Sequence, residues 1–175
     1  GYSAWERWTM RWMELPELDT ASTEVRLTDI HQKGQAYKLT SPINPNEYYV
    51  VENRQQTSWD APQAVSGLMI QHIDYNKTSW DNNNINNDAS HMRVCIVPAD
   101  NNRSTADYAG DLFPGASHNI SFTDETTPSS VLYDGTPLGK SLSNIRENGD
   151  GTVSFAFMQR KLQAPVIDET DFDAT

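Results

Sequence analysis

A single cysteine, Cys95, serves the whole chain of 175 residues, which excludes an internal disulfide, a dithiol redox pair and a metal site built on several thiolates. It stands inside Val94-Cys95-Ile96-Val97, where it reads as a small core hydrophobe. Positive charge is scarce as well, with 13 Lys and Arg against 24 Asp and Glu and a net charge of -11. Such a field repels phosphate backbones and anionic lipid headgroups, so nucleic acid and membrane surfaces are poor partners, whereas divalent cations are attracted. No apolar run approaches the roughly 20 residues that cross a bilayer, and no membrane insertion is expected.

The common signatures of catalysis are missing too. A zinc peptidase of the H-E-x-x-H kind sets two histidines one helical turn apart, so that both imidazoles face one metal. The four histidines, His31, His72, His91 and His118, have no such spacing, and none is followed by glutamate. A Gly-x-Ser-x-Gly nucleophile elbow, a P-loop and a Gly-rich dinucleotide loop are absent. Catalysis by this stretch alone is therefore not the expectation.

Aromatic side chains are plentiful, with five Trp, seven Tyr and five Phe, and rings should supply much of the buried area. Ser3-Ala-Trp-Glu6 fits a capping box, which predicts a helix starting after Ser3 and ending by Pro16. Trp5, Trp8 and Trp12 would then form one stripe along it.

Beyond this helix the apolar pattern changes to a period of two with turn chemistry between segments. Strands are predicted at Val25 to Leu27, Gln35 to Thr40, Glu47 to Asn53, Gly67 to Asp74, Met92 to Val97 and Val153 to Met158. Val153, Phe155 and Phe157 would line one core-facing side, and Asn148-Gly-Asp-Gly151 suits a hairpin turn. Tyr75 to Ser90 and Ala99 to Ser130 read as long irregular stretches, of the kind that are functional, ion-ordered or mobile. The expected fold is mainly β (α+β), an antiparallel β-sandwich or rolled sheet with one short N-terminal helix over residues 1–160. Residues 161–175 read as a linker or the start of a following domain.

Ser3-Ala-Trp-Glu-Arg-Trp-Thr-Met-Arg-Trp12 resembles the helix that follows the zinc region in immune inhibitor A-type metallopeptidases. Asn46-Glu-Tyr-Tyr-Val-Val-Glu-Asn-Arg-Gln-Gln-Thr-Ser-Trp-Asp60 is similar to that family's Glu-Asn-Arg strand, and Gly67-Leu-Met-Ile-Gln-His-Ile-Asp74 to its His-x-Asp strand. His91-Met-Arg-Val-Cys-Ile-Val-Pro-Ala-Asp100, Gly110-Asp-Leu-Phe-Pro-Gly115 and Ser121-Phe-Thr-Asp124 continue the series in order, so that the resemblance spans residues 2 to 158. Arg11 departs from it, since the family generally has Gly before the Trp. So does the short, Gly-poor loop from Asp60 to Ser66. The resemblance implies a secreted bacterial zinc metalloendopeptidase as parent, with zinc and the H-E-x-x-H stretch on sequence before residue 1. This segment would then pack in cis on the catalytic domain through Trp5, Trp8 and Trp12, completing a cleft for peptide substrate.

Hard cations favour crowded oxygen ligands, so a structural calcium is expected at Asp81, Asn83 and Asp88 or near Asp100 and Asp111, with Asp74 a further candidate. Against this stands a plain solvated loop, since the run lacks the Gly and the bidentate Glu of an EF-hand. His72 and Asp74 leave the same strand face, where they read as a polar pair ordering the strand end, with metal ligation as the sharper alternative. Glu52 and Arg54 read as a charge pair bracing Gln55-Gln56. Two rival functions remain open: a β-sandwich module binding carbohydrate or another ligand through its aromatic residues and long loops, and a hydrolase with a dispersed catalytic constellation.

Overall fold

The computed structural model describes residues 1–104 and 107–159; the stretch expected as a linker, 161–175, lies outside them. Two antiparallel sheets form a sandwich-like, mainly β fold, with two short α-helices among the described residues. One sheet runs in the order β2 (Ala36–Thr40), β3 (Glu47–Arg54), β4 (Gly67–Asp74), β5 (Val94–Ile96). The other places β7 (Val153–Phe157) between β1 (Ser22–Leu27) and β6 (Leu142–Glu147).

Alternation along β3 decides how the layers stack. Tyr49 and Val51 face inward with Leu68, Ile70, Phe155 and Phe157, making the core between the sheets. Tyr48 and Val50 face outward, where helix α1 (Ala4–Thr9), Leu15, Ile30 and Ala36 cover them. Both faces of β3 are therefore buried along all eight residues.

β7 is buried on both faces as well, contrary to the one-sided pattern expected of it. Its outer positions are the small Ser154 and Ala156, and Arg146 on β6 reaches Glu24 on β1 across them at 2.5 Å. Long charged stems cover small residues in this way while their heads stay in water.

The described part of the stretch from Ala99 to Ser130 is irregular but plugged into the core. Phe113 exchanges backbone hydrogen bonds with Leu68 (2.8 and 2.9 Å) and Phe122 with Leu142 (3.0 and 2.9 Å), so that both rings are fully buried. Tyr75 to Ser90 contains a second helix, α2 (Lys77–Asp81), which Asn76 caps by accepting from the Ser79 amide at 3.0 Å. The strand before the Asn148–Gly151 turn, β6, also escaped the period-two reading.

Candidate docking face, ligand cleft and buried polar centres

Helix α1 has the expected capping box: Ser3 Oγ accepts from the Glu6 amide at 3.2 Å and Glu6 accepts from the Ser3 amide at 2.7 Å. It is shorter than the tryptophan spacing implies. Arg11 adopts φ 62°, the Trp12 amide donates to the Arg7 carbonyl at 2.7 Å and the Arg11 amide to the Trp8 carbonyl at 2.9 Å. That pair of bonds is a Schellman stop, which ends the helix at Thr9.

The expected single tryptophan stripe is therefore split. Trp5 and Trp8 pack on the outer face of the first sheet with Ile30, Tyr48 and Ile73, and the Trp5 indole donates to the Tyr48 hydroxyl at 3.1 Å. Trp12 lies past the stop and points elsewhere. Tyr2, Trp12 and Trp59 are 56, 64 and 83% exposed and border one open cleft of about 1140 Å³ whose wall includes Ile30, His31 and Met13. Tyr2 and Trp12 meet edge to face with ring centres 5.6 Å apart. Exposed rings grouped around a cleft mark an interaction surface more often than a solvated one.

A second cleft, of about 750 Å³, opens on the other flank of α1 between Trp8, Lys38, Tyr48, Tyr75 and Trp80. Trp80 meets Trp5 at 6.3 Å and Tyr75 at 5.0 Å, so α2 contributes one wall.

Beneath α1 lies a buried ionic cluster. Arg54 donates to Glu52 and, at 2.5 Å, to Asp60, while His31 bonds Asp60 at 2.8 Å and Arg7 meets His31 at 3.2 Å. Burial alone would raise the Asp60 pKa, yet hydrogen bonds from the chain's amino group, Arg54 and His31 hold it far below the usual carboxylate range. Burial pushes the Glu52 carboxyl up despite Arg54 and the Ala4 amide beside it. The pair braces the helix and the 3-10 turn Ser58–Asp60; Gln55, which it was expected to brace, instead donates to Asn53 at 2.8 Å. Asn53 itself ties the two sheets, donating to the carbonyls of Leu27 at 3.0 Å and Gly151 at 2.9 Å.

His72 and Asp74 share a strand face but take different partners. His72 bonds Glu47 at 3.0 Å and lies in a stack of rings, 4.5 Å from Tyr49 and 4.7 Å from Tyr133, which His91 continues at 4.1 Å. Burial lowers the His72 pKa, but Cys95 and Glu47 beside it outweigh that and raise it. Glu47 also accepts the Tyr133 amide at 2.7 Å, so this centre fastens a loop to the sheet. Asp74 accepts from Arg93 at 2.5 Å and meets His91 at 2.7 Å.

The six residues named for calcium do not converge on one point. Asp81 pairs with Lys77 on α2, Asp88 accepts from Ser90 at 2.9 and 2.6 Å, and Asn83 sits past the end of α2 at φ 49°. Asp100 and Asp111 do approach, with the Ala99 amide donating to the Asp111 carbonyl at 3.2 Å. Burial, then the like charges of Asp100 and Asp107, raise the Asp111 pKa. Among the described residues no three His, Cys, Asp or Glu side chains gather closely enough to hold a metal.

Sequence reasoning missed Tyr2 and Trp59 as surface features and Trp80 as a cleft wall; the aromatic content was the only signal for them. Searched against family models, curated proteins and solved structures, the chain has no match in any of the three. No helix among the described residues is long and apolar enough to cross a membrane.

Proposed function

We propose that this chain is a framework segment of a secreted zinc metallopeptidase, packing in cis against a zinc-bearing catalytic part encoded before it. The reading rests on the sequence resemblance, and one observation carries it physically: Tyr2, Trp12 and Trp59 are held out in solvent around a single cleft on the helix side. The helix is anchored from below by Glu52 and Arg7, so this aromatic face is preorganised, which lowers the cost of docking. The zinc chemistry would belong to the neighbouring part, and the present residues would shape one wall of the substrate cleft. Calcium, if used, fits best at the Asp100 and Asp111 corner, where like charges already oppose one another.

The test joins this chain to the polypeptide encoded directly upstream, expressed as a separate piece. Co-purification is expected, and Trp12→Ser with Trp59→Ser should weaken it roughly thirtyfold, as for central aromatic anchors elsewhere. Failure of the two pieces to associate, or an upstream piece without paired histidines, ends the reading.

A further inference from the structure

The cleft between Trp8 and Trp80 is cationic in a strongly acidic chain. Its walls include Lys38 and Arg11 but no Asp or Glu. Lys38 Nζ lies 5.7 Å from the centre of the Trp8 ring and 5.3 Å from that of Tyr48. Among the described residues neither cation forms a salt bridge, although six other Lys and Arg side chains, Arg26, Arg54, Lys77, Arg93, Lys140 and Arg146, do. Two uncompensated positive charges on aromatic walls attract an anion with an apolar face.

Unspent hydrogen-bond donors narrow the class further. The indole N–H groups of Trp8 and Trp80 and the side-chain amide of Asn46, all at this cleft, have no hydrogen-bond partner among the described residues, so they face solvent or a ligand. The Tyr48 hydroxyl accepts from Trp5 at 3.1 Å and keeps its own proton to donate, since burial holds the phenol's pKa up. A wall with many donors, two cations and flat rings matches a ligand with many acceptor oxygens, one negative charge and a C–H face. A peptide backbone would bring fixed N–H donors to a wall already rich in them.

We propose that this cleft binds a carboxylate-bearing sugar, a uronic acid unit, with its ring stacked on Trp80 and Trp8 and its carboxylate turned to Lys38 and Arg11. This site is separate from the Trp12 and Trp59 face and stands whether or not that face docks a catalytic part. A neutral sugar offers the same ring without the charge. A preference for the uronate that fades as salt screens charge therefore reads the cations.

The experiment titrates the chain with trigalacturonate and, separately, with maltotriose, following tryptophan fluorescence and heat at low and high salt. Trigalacturonate is expected to bind in the millimolar range or tighter, at least about tenfold better than maltotriose, and to weaken as salt screens the cations. Lys38→Met should lower its affinity about tenfold and Trp80→Ala should abolish binding, each with an unchanged melting curve. If Lys38→Met fails to fold, Arg11→Gln and the salt dependence carry the charge test. Absence of trigalacturonate binding, equal binding of maltotriose, or binding that survives Trp80→Ala overturns the proposal, as does tighter binding of an acetylated Asp-Phe-Asp peptide.

Discussion

Glu52 lies directly beneath the first turn of α1, where its Oε2 accepts the Ala4 amide while its Oε1 takes Arg54. A strand carboxylate thus serves as a second cap for a helix that already carries its own, and one charge fixes both the helix and Arg54.

Glu52→Ala should therefore cost about 3–5 kcal/mol, because the Ala4 amide and Arg54 would each lose a buried acceptor. Replacing both partners, Glu52→Leu with Arg54→Met, should recover much of that loss, since an apolar pair leaves no stranded charge. Urea unfolding of the two variants checks it; a double variant as weak as the single one would show that the charge pair itself carries the stability.

Acid unfolding should have a definite shape. The Asp60 pKa is depressed from 3.8, so the unfolded chain takes up this proton first and stability is lost as pH falls below that value. The Glu52 pKa is raised from 4.5, so the folded chain takes up its proton first, and stability gains as pH falls toward 4.5. The urea midpoint followed against pH is expected to turn over between 4.5 and 3.8. Asp60→Asn should flatten the acid side, and an unchanged acid slope would remove Asp60 from the account.

Local chemistry made some of this fold readable in advance. The Ser3 and Glu6 box started α1 where expected, and the β-branched, aromatic runs at Glu47 and Gly67 became the paired strands β3 and β4. What alternation alone misjudged was coverage: β7 is buried on both sides because Arg146 and Glu24 meet across it, a contact between residues 122 apart. The exposed aromatic face was only half legible. Spacing of three and four put Trp5, Trp8 and Trp12 on one stripe, but the backbone turns left-handed at Arg11 and separates the last from the others. Tyr2 and Trp59 join Trp12 only through tertiary folding, and no local pattern encodes that.

Asp111 offers a decisive measurement on calcium. Burial and the charges of Asp100 and Asp107 raise its pKa, so its ionised form at neutral pH works against the fold. Without divalent ions, Asp111→Asn should raise the melting temperature slightly. If calcium occupies this corner, millimolar calcium should raise the melting temperature of the parent chain above that of the variant. A melting curve of the parent chain that ignores both calcium and chelator removes the ion from this segment.

Arg11 joins stability to binding at one position. It occupies the left-handed residue of the Schellman stop at φ 62°, a conformation that costs a residue with a Cβ roughly 1 kcal/mol and glycine almost nothing. Both bonds of the stop, Trp12 to Arg7 and Arg11 to Trp8, need that backbone. An arginine retained at such a site keeps a cation on the wall of the Trp8 and Trp80 cleft. Arg11→Gly is thus expected to raise the melting temperature by several degrees, as a gain near 1 kcal/mol would in a domain of this size, while weakening trigalacturonate binding. Two effects of opposite sign from one substitution separate the readings. A stabilised variant that binds as well as the parent chain would leave Arg11 as strain without a role, and a destabilised one would show that its stem packs on α1 more tightly than its exposure implies.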